Sequence, residues 1–200
     1  MKRIACSGIL LTLLALGGCA SPPPTPLKSL TLTAAPAVAT STKKAALTYV
    51  SSNVEGTDVP PMVVSGNVLF SVPSDEIEPY LFNRQDQSDT VEALRANLLR
   101  LKVFDAVEFS SAPRSPDLKI MVVFDKTFYE PRDKQYTLNV TMQIQGGKQR
   151  FRKEYLAQSN PQGSVFRAAA LSGEQAKAEA ATVLLEQLLT DIRDFAADKA

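Results

Sequence analysis

Histidine and tryptophan are absent from this 200-residue chain, and cysteine occurs only twice. Without histidine there is no imidazole metal ligand, no Ser-His-Asp triad, no Cys-His nucleophile and no imidazole proton shuttle. An excess of one charge is missing as well. Its 22 basic residues face 21 acidic ones, for a formal net charge of +1. So balanced a chain sets up no field that would gather nucleic acid. No internal repeat is visible, and the apolar run from Ile9 to Leu16, with Thr12 inside it, falls well short of the ~20 residues a membrane-spanning helix needs. What remains, 44% apolar and 22% charged, is the composition of one folded domain.

The first 25 residues are the most informative. Lys2 and Arg3 form a short basic segment ahead of the apolar run, which ends in Leu16-Gly17-Gly18-Cys19. A leucine three residues before a cysteine, with two small residues between, is the pattern of a bacterial lipobox. Small residues fit the signal-peptidase groove, and the cysteine thiol must be free to receive diacylglycerol before the chain is cut on its amino side. The expectation is a signal peptide over 1–18 and a mature chain of 182 residues starting at an acylated Cys19. Removing the signal takes basic residues from 22 to 20 against 21 acidic, leaving a side-chain charge of −1. Cys6 leaves with the signal, so the mature domain is expected to have neither a disulfide nor a free thiol. Ala20 and Ser21 follow the cysteine in place of aspartate, which by resemblance to enteric lipoproteins points to the periplasmic face of the outer membrane.

Pro22, Pro23, Pro24 and Pro26 open a stretch rich in Pro, Ala, Ser and Thr, so residues 19–45 read as an extended tether. At ~3 Å per residue it would hold a domain tens of Å off the bilayer. Ser41-Thr42-Lys43-Lys44 matches an S-x-x-K nucleophile pattern in form, but in a tether no helix orients the lysine.

Residues 46–200 read as one α+β domain. Leu47 and Tyr49 lie in a short strand, and Met62 to Val72 form another with Gly66-Asn67 as a turn or bulge. Asp89 with Glu92 caps a helix whose apolar face is Val91, Leu94, Leu98 and Leu101. A short strand follows over Val103 to Phe109. Leu118, Ile120, Val122, Phe124 and Phe128 then mark one face of a longer strand. After a loop at Pro131 to Lys134, Tyr136, Leu138, Val140, Met142 and Ile144 alternate with Thr137, Asn139, Thr141, Gln143 and Gln145. Gly146-Gly147 turns the chain into a strand from Lys148 to Ala157. Ser172 with Gln175 caps a last helix bearing Ala176, Ala180, Val183, Leu184, Leu188, Ile192 and Phe195. The expectation is an antiparallel sheet of about four to six strands with two helices packed on one face.

Lys148, Arg150 and Arg152 project from one face of one strand, with Lys153 on the other. Cations so spaced suit the phosphates of lipopolysaccharide or anionic phospholipid. They equally suit an edge strand guarded by charge, with Glu154 near to neutralise it. Asp75, Glu76 and Glu78 match no calcium loop and read as a solvated helix start. The Thr/Asn/Gln row either reads sugar hydroxyls or is the wet face of a sheet. Leu185 and Leu189 widen the apolar stripe of the last helix, for a partner helix, an acyl chain or the core. No residue pair stands out as catalytic, and no metal or cofactor is expected beyond the diacylglycerol and N-acyl chain on Cys19.

The lipobox, the Pro/Ser/Thr tether, the helix at Val91–Leu101, the segment Asp117–Glu130 before a Gly-Gly hairpin, and the closing stretch Ser164-Val165-Phe166 through Phe195 together resemble small outer-membrane lipoproteins of proteobacteria. In element order they are similar to lipopolysaccharide-assembly lipoproteins and to auxiliary lipoproteins of lipid-transporting ABC systems. The resemblance implies a non-enzymatic accessory or assembly subunit of an envelope complex, with a protein partner there. The alternative is a lipid- or glycan-binding module, and a carboxylate hydrolase stands behind both.

Overall fold

The computed structural model describes residues 25–33, 43–51, 82–109, 116–130, 135–160 and 173–197, and the backbone of residues 62–65 and 68–71. The signal peptide, Cys19, Gly66-Asn67, Asp75, Glu76, Glu78, the Pro131–Lys134 loop and Ser172 lie outside these residues.

Seven strands and two α-helices follow a single 3-10 turn at Leu27–Ser29 among the described residues: β1 (Lys44–Val50), β2 (Met62–Ser65), β3 (Val68–Ser71), α1 (Arg84–Arg100), β4 (Ala106–Phe109), β5 (Leu118–Glu130), β6 (Gln135–Gly146), β7 (Gln149–Gln158) and α2 (Gly173–Ala197). Five strands make one sheet in the order β4-β1-β5-β6-β7, and β2 pairs with β3 in a separate antiparallel hairpin. The sheet is mixed, not purely antiparallel: β1 runs parallel to both β4 and β5. Parallel neighbours need a long crossover, and the chain between Val50 and Ala106 supplies one that carries α1. Only the β5-β6-β7 meander has the short connections that make antiparallel pairing legible.

Both helices cover one face of this sheet. Ala45 and Leu47 of β1, Leu118, Ile120, Val122 and Phe124 of β5, alternate residues Tyr136 to Ile144 of β6, and Tyr155 and Ala157 of β7 pack there against Val91, Leu94 and Leu98 of α1 and Ala180, Leu184, Leu188 and Ile192 of α2. Leu185 and Leu189 are buried with them, so the whole stripe of α2 belongs to the core. Burying each such side chain contributes about 1.5–3 kcal/mol.

Three local features differ from the sequence expectation. The cap of α1 is Asn83, whose side chain accepts the Asp86 N–H while the Asp86 carboxylate accepts the Asn83 N–H, so the helix starts a turn and a half before Asp89. A bulge between Phe124 and Lys126 inserts one residue into β5 and reverses its alternation. Phe128 is thereby turned to the open face, and Tyr129 takes the inward place against Tyr136 at 4.8 Å between ring centroids. Finally, Leu27 and Leu32, in the stretch assigned to the tether, belong to the core. Asn97 holds them there, donating to the Leu30 carbonyl (2.8 Å) and accepting the Leu32 N–H (3.0 Å), and Arg100 donates to the Leu32 carbonyl.

Candidate functional site

The face of the sheet turned away from the helices is where the chemistry gathers. Gly147, at φ +58°, closes the β6–β7 turn in a conformation that suits glycine, and this sets Gln145 opposite Arg150 and Gln143 opposite Arg152. The β5–β6 register then adds Lys119 beside Gln145 and Met121 beside Gln143. One row of the open face therefore reads Lys119, Gln145, Arg150, and the next reads Met121, Gln143, Arg152. Lys119 and Arg150 lie two strands apart, about 10 Å at their Cα atoms, and Arg150 and Arg152 about 7 Å apart along β7. Lys148 sits in the turn below them.

Lys119, Lys148, Arg150 and Arg152 are all exposed, and none has an ion-pair partner among the described residues. Glu154 comes one row further on, opposite Thr141, and forms no ion pair among the described residues. The structure thus keeps Arg150 and Arg152 on one face of β7, moves Lys148 from the expected strand into the turn before it, and adds Lys119. Its signal was its parity, opposite to Leu118 and Ile120. The β5–β6 register that brings it to Arg150 follows from tertiary pairing, which local sequence does not state.

The rest of the open face is less wet than an alternating strand suggests. Thr137 and Thr141 are buried, Thr137 accepting the Gln158 amide at 3.1 Å and Thr141 donating to the Asp125 carboxylate at 2.5 Å. Around them Val50, Phe128 and Leu156 are exposed to 49%, 43% and 55%. The face is therefore divided, basic at the β6–β7 turn and mostly apolar toward the far end of β7, where the one cation in the row of Leu156 is Lys126, its ammonium 5.5 Å from the centroid of the Phe128 ring.

On the helix side, ionic groups serve packing. Asp191 of α2 accepts from the Lys153 ammonium at 2.7 Å and the Tyr155 hydroxyl at 2.6 Å on the same oxygen, joining β7 to α2. Burial first, then the hydrogen bond to Asp191 and its negative charge, raise the Tyr155 pKa far above its ordinary value of 10.0. The sign follows. Unfolded chain ionises this tyrosine near pH 10.0 and folded chain does not, so its stabilising effect is complete below that pH and is lost as pH rises above it. Urea denaturation at about pH 8 and pH 11 is expected to show Tyr155→Phe losing about 1 kcal/mol at the lower pH. It should also remove up to ~1.4 kcal/mol per pH unit from the alkaline slope. An unchanged slope would show that Tyr155 does not control it.

Among the described residues no group of three Cys, Asp or Glu could hold a metal ion, and no helix is long and apolar enough to cross a membrane.

No protein-family model matches the chain, and no curated protein sequence matches it. In fold it is similar to the crystal structure of protein XCC0632 from Xanthomonas campestris, of the DUF330 family, with a TM-score of 0.52 and 14% identity over 88% of this chain and 97% of that one. PelC from Paraburkholderia phytofirmans, solved as a dodecamer, matches at a TM-score of 0.38 and 15% identity over 76% of this chain and 91% of its own, too distant to bear on fold or assembly. The first likeness extends over nearly the whole of both chains and concerns the fold alone.

Proposed function

We propose that this chain is a lipoprotein acylated at Cys19, anchored to the periplasmic face of the outer membrane, and a non-catalytic accessory or assembly subunit of a cell-envelope complex. The observation that carries the binding role is the divided open face of the sheet. Exposed Val50, Phe128 and Leu156, and the cations that have no ion-pair partner among the described residues, stand on a five-stranded platform. Asp191, Lys177 and Asp86, by contrast, are held in helix packing. Supporting the anchor is the Leu16-Gly17-Gly18-Cys19 pattern behind its short basic and apolar segments. A second reading, a lipid- or glycan-binding module, is favoured by the Lys119, Arg150 and Arg152 grouping.

The test is made in intact cells. Cys19→Ala is expected to leave an uncleaved precursor that takes up no labelled palmitate, and retained label would refute the anchor. A photo-crosslinker at Leu156 is expected to capture one discrete envelope protein, whereas the same probe at Glu186, exposed on α2, captures none. Capture of lipid or glycan alone at Leu156 would move the assignment to the binding module.

A further inference from the structure

The chain between Cys19 and the folded domain is short. Residues 25–33 are part of the domain, with Leu27 its first buried residue. Eight peptide steps separate Cys19 from Leu27, and four of the seven residues between them are proline. Fully extended they reach at most ~29 Å, and at polyproline rise about 25 Å. A domain of some 150 residues has a radius of gyration of about 15 Å, hence a diameter of nearly 40 Å. A leash shorter than the domain is wide keeps some face of it close to the bilayer. The long tether expected from residues 19–45 is cut to a fraction by the Asn97 and Arg100 hydrogen bonds that take Leu30 and Leu32 into the fold.

Charge selects the face. The mature chain carries a side-chain charge near −1, so its cations are not spread over a generally basic surface. Lys119, Lys148, Arg150 and Arg152 collect at one corner of the open sheet, spaced by the neutral Gln143 and Gln145. Carboxylates bound this corner without entering it: Glu154 lies one row beyond, and Glu108 in β4 lies across Ala46. The Asp117 carboxylate accepts the Lys44 N–H at 2.7 Å. A sheet with a helix layer behind it is about 20 Å thick, so the leash from the helix side just spans it.

We infer that the β5–β7 corner formed by Lys119, Lys148, Arg150 and Arg152 rests on the anionic lipid headgroups of the bilayer that holds the Cys19 anchor. The inference rests on the acylated Cys19 of the proposed function. Anchor and corner act as two attachments, one apolar and one electrostatic, and together they fix which way the domain faces. Val50, Phe128 and Leu156, toward the other end of the same face, are left tilted away from the lipid.

The mature acylated chain has no free thiol, so a single cysteine introduced at Gln145 or at Glu186 takes a fluorophore uniquely. The protein is reconstituted into phosphatidylcholine vesicles with or without about one-third phosphatidylglycerol, carrying a headgroup nitroxide quencher. The expected result is at least threefold stronger quenching at Gln145→Cys than at Glu186→Cys in the anionic vesicles. That difference should disappear in neutral vesicles, in ~0.5 M salt and in the Lys119→Ser/Arg150→Ser/Arg152→Ser variant. Equal quenching at the two positions, or indifference to anionic lipid, overturns the inference. Mass spectrometry of the same preparation separates the two claims. An acylated Cys19 with an unquenched Gln145 label removes this inference alone, and a Cys19 without acyl chains removes the anchor and the inference together.

Discussion

Asn97→Ala is expected to cost about 3 kcal/mol and to release residues 25–33 from the domain while the sheet stays folded. Asn97 is buried at 1% exposure, and its amide makes four hydrogen bonds. The oxygen accepts from the Leu32 N–H at 3.0 Å and the Arg100 guanidinium at 2.9 Å. The nitrogen donates to the Leu30 and Ala93 carbonyls, both at 2.8 Å. Alanine replaces none of these. The Ala93 carbonyl lies within α1 and keeps its helical bond to the residue 97 N–H. The Leu32 N–H and Leu30 carbonyl have no such substitute, and each buried group left without a partner costs about 1–3 kcal/mol. Leu27 and Leu32 still favour burial, and Arg100 still holds the Leu32 carbonyl at 2.5 Å, so the loss is concentrated in the strap. Two measurements check this. Urea denaturation should show the lowered stability, and trypsin should cut after the exposed Lys28 at least tenfold faster than in the parent chain. A variant with unchanged cleavage at Lys28 would show that apolar burial alone holds the strap.

The same asparagine marks where sequence reading ends. Val91, Leu94 and Leu98 declare the buried face of α1 through their spacing, and Asn97 beside them gives no sign that it clamps a segment 65 residues away. Composition made residues 22–44 look like a tether throughout, because the proline, alanine, serine and threonine around Leu27, Leu30 and Leu32 outweigh three leucines in any local count. The meander was legible since period-two alternation and a Gly-Gly turn act over short range. Its alternation failed at Asp125, where the bulge transferred Phe128 to the open face, and nothing in the run Phe124-Asp125-Lys126 signals an extra residue. Strand direction failed at β1 for a related reason. A seven-residue strand carries no mark of polarity, and only the crossover through α1 makes it parallel to β4 and β5. The candidate site divides along the same line. Arg150 and Arg152 share one strand, with Lys148 in the turn just before it, and are visible together, whereas Lys119 joins them through two strand pairings.

Lys177 is a harder case, since a lysine beside Ala176 and Ala180 passes for the solvated edge of a helical stripe. It is 3% exposed, and its ammonium meets the Asp86 carboxylate at 3.1 Å and that of Glu174 at 3.2 Å. Asp86 therefore serves both helices: one oxygen accepts the Asn83 N–H at 2.9 Å to cap α1 and also receives Lys177 from α2. Removing one partner of a buried pair is far more costly than removing the charge itself. Asp86→Ala leaves the ammonium buried with only Glu174, whose side chain is 52% exposed, and it also deletes half of the capping box. The expected cost is about 3–4 kcal/mol, most of it the uncompensated cation and about 1 kcal/mol the cap. Lys177→Met keeps the aliphatic stem in place and removes the desolvated charge, so it should change stability by less than about 1 kcal/mol. In the double variant Asp86→Ala/Lys177→Met no cation remains to be stranded, and the loss should fall back to the cap, about 1 kcal/mol. The four proteins form a cycle with a coupling of about 2 kcal/mol, well beyond the additivity expected of independent sites. Urea denaturation of all four measures it directly. If Lys177→Met proves as damaging as Asp86→Ala and the double variant is no worse than either, then the ion pair itself joins the helix N-termini, and if the two losses simply add, the two groups do not interact. If the double variant recovers, the pair is a buried charge kept harmless by Asp86, and the helices are held together by their apolar faces.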